Sequence, residues 1–228
     1  MVRPHAGEPI PDELDGFAAL VVLGGEQNAF DDPVSVPNAA WFPKVESLLR
    51  KAVRHRVPTL AICLGAQLLA QAHGGEVRRS PIGPEIGPKL VARRDAADRD
   101  PLFAAVPMLP DVLQWHRDEV AELPAGAVLL AASTDHPHQA FRIGECAWGL
   151  QFHIECDPDM IADWAADSGA QLAELGIDPA TLVERTEAVM DDMAEVWQPF
   201  AARFAAIARG ELNPGRPGVG QALPLLGH

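Results

Sequence analysis

Two hundred and twenty-eight residues, 48% of them apolar, suffice for one full-sized domain with a sizeable buried core. Eighteen Lys and Arg against 32 Asp and Glu leave a net charge of −14, which excludes a basic nucleic-acid-binding face and docking on anionic lipid. Three cysteines are too few for a disulfide scaffold of this length, so the chain reads as a protein of a reducing compartment, the cytoplasm.

Met1 to Glu8 contain no apolar h-region, and no secretory signal is expected. Ala18 to Leu23 is an almost continuous apolar run ending in Gly24-Gly25, the pattern of a strand covered on both faces of a parallel sheet. Asn38 to His55 carries Trp41, Val45, Leu48, Leu49 and Val53 at helical spacing. Thr59 to Ile62 reads as a second buried strand and runs without a break into a helix from Leu64 to His73, stopped by Gly74-Gly75. The uncharged stretch Val57 to Gly75 contains Pro58, Gln67, Gln71 and His73, which suits a strand plus a buried helix and not a membrane span.

From Glu76 to Phe152 the pattern is strand-rich, with strands expected at Lys89–Ala92, Val112–Trp115, Val128–Ala131, Gln139–Ile143 and Cys146–Phe152. His136 and His138, flanking Pro137, are expected in an exposed turn, and Cys146 in the core. After Asp157-Pro158 the chain turns helical, and Asp178-Pro179 is a good cap and first-position pair. Leu182, Val189, Met193, Val196, Phe200, Phe204 and Ile207 form one stripe, which Pro199 should kink or divide. The stripe suits core packing, or a docking surface for a synthase subunit or a second copy. The expected architecture is α/β: a three-layer, doubly wound open sheet over residues 1–156, a helical extension over 157–210 packing on it, and a mobile or loosely docked Pro/Gly-rich tail over 211–228.

Chemistry concentrates in three segments. In Pro58-Thr-Leu-Ala-Ile-Cys63-Leu-Gly-Ala-Gln67 a buried strand ends at a cysteine and a helix begins at once, the arrangement of a nucleophile elbow with sulfur in place of oxygen. The helix N-terminus favours a thiolate there, although a small buried hydrophobe fits the segment alone equally well. In Trp148-Gly-Leu-Gln-Phe-His153-Ile-Glu155, residues two apart on extended backbone share a side, so Glu155 can orient the His153 imidazole; a structural histidine beside a solvated carboxylate is the bland reading. Leu23-Gly24-Gly25 can turn backbone N–H groups into a site, and with the N–H of Leu64 form an oxyanion hole, although Gly-Gly makes a plain tight turn as readily. Cys146, His153 and Cys156 fit no paired-ligand zinc spacing, so no metal is expected. The absence of Gly-x-x-x-x-Gly-Lys-Ser/Thr leaves any use of ATP to a partner, and no cofactor is expected.

Together Cys63-Leu-Gly-Ala-Gln67, Gln151-Phe-His153-Ile-Glu155 and Leu23-Gly24-Gly25 resemble the three signatures of class I glutamine amidotransferases, closest to the stand-alone branch similar to the amidotransferase half of GMP synthase. The resemblance runs from about Val2 to Asp163 and includes Pro84-Glu85-Ile-Gly87, Gln114-Trp-His116-Arg-Asp118 and Gln139-Ala-Phe141-Arg142. It implies a flavodoxin-like fold and glutamine as substrate. It also implies a triad of Cys63, His153 and Glu155, an oxyanion hole from Gly25 and Leu64, and substrate contacts from Gln67, His116 and Asp118. The partner it implies is a synthase subunit or a second copy. The alternatives are a γ-glutamyl amide or peptide hydrolase and a non-catalytic regulatory subunit. The sequence departs from the family's pattern at Ala61, Ile154 and Arg117, where glycine, proline and glycine are usual, and the family's usual first strand and helix are expected to be absent.

Overall fold

Apolar continuity decides the centre of the molecule. Thr59–Ile62 (β2) is buried at every position, as a strand flanked on both sides and covered on both faces must be. In the computed structural model, which describes residues 1–214, β2 lies between two parallel neighbours, Leu20–Val22 (β1) and Ala147–Leu150 (β10). Beyond β10 the pairing turns antiparallel through Ala140–Ile143 (β9), Val128–Ala132 (β8) and Ala92–Arg93 (β5). The resulting order is β1-β2-β10-β9-β8-β5, with β1 at one edge and its Val21 exposed. Glu76–Arg79 (β3) pairs with Asp118–Glu122 (β7), and Glu85–Leu90 (β4) with Asp111–His116 (β6), in two separate antiparallel ladders.

Strand alternation sends successive side chains to opposite layers. Ala61, Phe141 and Ala147 face the helices Phe42–His55 (α1) and Leu64–Ala72 (α2). Leu60, Ile62, Trp148 and Leu150 face a second core, built with Met193, Trp197, Phe200, Phe204 and Ile207 of Met190–Ala208 (α6). Trp148 Nε1 donates to the buried Asp100 carboxylate at 3.0 Å, and Trp197 Nε1 donates to the carbonyl of Asp111 at 2.8 Å. These two bonds satisfy the polar edges of two large core rings. The expected three-layer α/β architecture is the observed one. The parallel character, however, is confined to β1, β2 and β10.

Several elements differ from expectation. β3 and β7 were not foreseen, because Glu76-Val-Arg-Arg and Asp118-Glu-Val-Ala-Glu are too charged to read as strands. Exposed guanidiniums of β3 pair across the ladder with buried carboxylates of β7 instead, Arg79 with Asp118 and Arg78 with Glu119. The C-terminal stripe is divided at residues 188–189, between Pro179–Glu187 (α5) and α6, and α6 continues through Pro199. Pro199 and Glu195, whose carbonyl loses its helical donor, both face solvent, so water can take the freed acceptor while the buried side stays continuous. Asp157 and Asp178 cap their helices as expected, accepting from the N–H groups of Met160 and Thr181. The tail expected over 211–228 lies from residue 215 onward outside the described residues. Among the described residues no helix is long and apolar enough to cross a membrane.

Gly65, in the first turn of α2, marks where the layers meet most closely. A Cβ on it would fall 2.2 Å from the carbonyl oxygen of Val22 in β1, an obstacle of backbone that cannot rotate away. Gly65→Ala is therefore expected to cost about 3 kcal/mol, or roughly 6–12 °C in Tm for a chain of this size. A thermal melt checks this, and an unchanged midpoint would show that α2 shifts freely against β1.

Candidate active site

β2 delivers Cys63 to the sheet's carboxyl edge in a conformation few L-residues adopt, φ 52° and ψ −112°. The neighbours hold it there. Its N–H donates to the carbonyl of Leu150 at 2.7 Å, and its own carbonyl accepts from the N–H of Gln67 at 3.0 Å. α2 starts at the next residue, so the unpaired N–H groups and positive dipole end of its first turn lie beside the sulfur. The Sγ is 3.9 Å from the carbonyl oxygen of Trp115 and 3.9 Å from Nε2 of Gln151.

His153 follows β10 and is tied to β6 by a two-way bridge, its N–H donating to Leu113 at 2.7 Å. Nδ1 lies 2.7 Å from Oε1 of Glu155, whose Oε2 accepts from the N–H of Ile154 at 2.9 Å. Nε2 is buried and, among the described residues, makes no well-formed hydrogen bond. A methyl built on Gly24 would stand 3.1 Å from Cε1 of His153 and 4.0 Å from Sγ of Cys63, so the two side chains meet over this glycine. Burial alone would lower the imidazole's pKa. Electrostatic attraction to Cys63, with hydrogen bonding to Cys156, Cys63 and Glu155, overcomes that and holds it well above 6.5. Burial raises Glu155, but the hydrogen bond from His153 more than offsets it and keeps the carboxyl below its ordinary value.

Gly25 packs against the start of α2, where a Cβ would fall 2.9 Å from Cδ2 of Leu64. The two backbone segments expected to supply oxyanion donors thus lie side by side. Gln67, His116 and Asp118 all line the cavity over Cys63, and each also bonds within the protein. Gln67 Nε2 donates to the carbonyl of Asp118 at 3.1 Å and to Oε1 of Gln151 at 3.2 Å. Asp118 accepts from Nε of Arg79 at 2.6 Å, and His116 Nδ1 lies 3.0 Å from the carbonyl of Asp118. All three therefore stand in the cavity wall over Cys63, each with some of its polar atoms bonded within the protein.

The cavity is about 600 Å³. Its far wall is Met160 and Trp164 of Pro158–Asp167 (α3), with Ser168 and Gln171 next to it. Sequence reasoning missed Trp164, whose ring packs edge-on at 5.1 Å from His153 and 5.5 Å from Trp115. Its signal was the capped helix after Asp157-Pro158, but no local pattern says that this helix returns to the sheet edge. Cys146 is core as expected, where burial and Glu145 push its thiol up to about 11. Cys156 is also buried; His153, Glu155 and Cys156 place one donor atom each within 4.8 Å, the group nearest to a cation site among the described residues.

His136 corrects an expectation. It is 3% exposed, because carboxylates meet both ring nitrogens: Glu85 Oε2 at 3.2 Å from Nδ1 and Glu119 Oε2 at 3.9 Å from Nε2. Glu85 Oε2 also lies 3.3 Å from Nε2 of His116 and accepts from Nε2 of Gln139 at 2.6 Å. His138 is half-buried, with Nδ1 2.8 Å from the carbonyl of Val120. Burial would raise Glu85, but the two imidazoles hold it far below the usual carboxylate range. Burial would lower His136, but Glu85 first and then Glu119 keep it raised. This buried ion cluster shares His116 with the His116–Asp118 wall of the cavity.

A profile of the family described as Glutamine amidotransferase class-I matches residues 7–161. The glutamine amidotransferase-like protein YfeJ of Salmonella typhimurium is 33% identical over 75% of this chain and 71% of its own length. Gamma-glutamyl peptidase 4 of Arabidopsis thaliana is 29% identical over 68% of this chain and 60% of its own. One subunit of the glutamine-hydrolyzing GMP synthase of Saccharolobus solfataricus is 31% identical over 68% of this chain and 74% of its own. Among solved structures, a glutamine amidotransferase from Thermotoga maritima superposes with a TM-score of 0.77 at 28% identity, covering 89% of this chain and 84% of that one.

The ion cluster predicts a pH signature. A raised histidine adds stability in full below its ordinary 6.5, losing it as pH rises through the raised value; a lowered carboxylate adds stability above 4.5. His136→Phe should therefore cost most between pH 4.5 and 6.5, about 3 kcal/mol for a buried charge left unpaired, and less at alkaline pH. Thermal melts of both proteins across pH 5 to 9 test this, and a pH-independent difference would exclude the charge pair as its origin.

Proposed function

The chain belongs to the class-I glutamine amidotransferase family, and we propose that it is a cytoplasmic enzyme that hydrolyses the side-chain amide of glutamine through Cys63 and delivers ammonia to an acceptor held by a partner protein. The observation that carries this reading is the cysteine at positive φ, set beside a buried imidazole whose other nitrogen is held by a carboxylate. The thiolate of Cys63 attacks the amide carbon, and the N–H groups of Gly25 and Leu64 receive the oxyanion. Collapse of the tetrahedral intermediate breaks the C–N bond, and imidazolium Nε2 of His153 gives its proton to departing ammonia, leaving a γ-glutamyl thioester. Neutral His153 then takes a proton from water, the resulting hydroxide attacks the thioester, and glutamate leaves as the thiolate is restored. Glu155 keeps the ring oriented and its charged form stabilised. Residues 1–156 carry this chemistry and 157–210 cover it.

A second reading has its own support. The cavity of about 600 Å³ exceeds by several-fold the roughly 150 Å³ of a glutamine molecule, against the 300–1,000 Å³ usual for ligand pockets. That room suits a γ-glutamyl amide or peptide whose leaving amine lies along α3, and a relative carries the name gamma-glutamyl peptidase.

Both readings share the nucleophile, which a diazo-ketone analogue of glutamine tests directly by intact mass. Wild type is expected to gain one adduct, suppressed by excess glutamine and abolished in Cys63→Ala. His153→Ala should slow adduct formation by roughly 10²-fold or more. Folded wild-type protein that gains no adduct would point to a non-catalytic regulatory role.

A further inference from the structure

Building on the Cys63 reading, we propose that Arg117 determines substrate specificity: its guanidinium receives the free α-carboxylate of the substrate's glutamyl moiety. Among the described residues Arg117 is the only Lys or Arg lining the cavity, which Glu26, Asp118, Glu155 and Asp167 also line. Asp118 is held by Arg79 at 2.6 Å and Glu155 by His153 at 2.7 Å. The adjacent arginines of β3 are matched in the same way, Arg78 with Glu119 at 3.0 Å. Arg117 alone on this wall makes no ion pair or side-chain hydrogen bond among the described residues, in a chain with 32 acidic groups available. Its backbone is nonetheless fixed, its carbonyl accepting from the N–H of Ser80 at 3.0 Å. An ordered backbone thus presents an unmatched cation at an otherwise acidic site.

The spacing fits an amino-acid head group. The carbonyl of Trp115 lies 3.9 Å from Sγ of Cys63, and position 117, two residues on at the bend between β6 and β7, lies at most about 7 Å further along the chain. In an extended glutamine the amide carbon and the carboxylate carbon are four bonds, or about 5 Å, apart. A substrate with its amide carbon at the sulfur therefore brings its carboxylate within reach of a guanidinium at 117, which can bind it bidentately. Glu26 and Asp167, which make no ion pairs among the described residues, supply the opposite charge for the α-ammonium. The consequence is that Arg117 is the residue that sets the preference for a free α-carboxylate over the same γ-glutamyl group carrying a neutral α-amide.

Alkylation of Cys63 by the diazo-ketone analogue in two forms, free α-carboxylate and α-carboxamide, tests this without a partner or turnover. Inhibitor-concentration series followed by intact mass separate binding from the chemical step in wild type, Arg117→Met and Arg117→Lys. Wild type is expected to bind the carboxylate form roughly ten- to a hundredfold more tightly than the amide. Arg117→Met should abolish that preference without changing the maximal rate, and Arg117→Lys should restore part of it. Equal binding of both forms by wild type, or equal weakening of both in Arg117→Met, overturns the proposal and leaves the nucleophile reading standing. Failure of both forms to alkylate Cys63 in folded protein removes both readings.

Discussion

The rest of the structure is arranged around one strained peptide unit. Cys63 holds a positive φ that costs on the order of 1–3 kcal/mol in an L-residue, and it persists only because its surroundings leave no alternative. β2 is fixed on both edges by parallel neighbours, Leu150 accepts the cysteine's own N–H, and α2 begins at once against β1 with no room for a side chain at Gly65. The sharp turn is what lifts the sulfur above the sheet edge and next to the free N–H groups of α2. A relaxed cysteine would have continued the strand and pointed into one of the two cores.

The same economy of backbone explains why the imidazole arrives where it does. β10 is β2's other parallel partner, so both strands end at the same edge, and the residues just beyond each end are adjacent. Bridging to Leu113 then stops the chain from fraying away after β10. Trp164 closes the far side of the ring and keeps water from solvating it freely, which strengthens the electrostatic coupling between His153, Glu155 and Cys63. The helical extension thereby enters the site's electrostatics as well as its shape.

The sequence made the elbow, the His-x-Glu pair and the Gly-Gly turn legible because each depends on local backbone geometry: a strand running into a helix, a two-residue spacing, a turn lacking side chains. Most strands and helices were legible for the same reason. What stayed hidden depends on contacts between distant segments. The charged strands β3 and β7 become strands only because each supplies the other's counterions. His136 beside Pro137 looks like a turn residue until Glu85 and Glu119, 51 and 17 positions away, are seen to close around it. The division of α5 from α6 likewise follows from packing, since Pro199 carried the stronger local signal and the helix passes through it with its buried side intact.

Charge is handled in opposite ways on the two sides of the His116–Asp118 segment. On its buried side, His116 meets Glu85, which with Glu119 surrounds His136, and such a cluster is tolerable only when every charge has a counterpart. Above it, the cavity keeps acids and one arginine unmatched, and exposure to water lowers the cost of leaving them so. A matched cluster is rigid because moving any member strands another, so the wall carrying Trp115 and Arg117 rests on a foundation that resists displacement. Unmatched groups on a rigid wall are preorganised for a ligand: the reorganisation that a flexible loop would need at binding has already been met in folding. The buried cluster thus holds still the surface that a charged substrate would read.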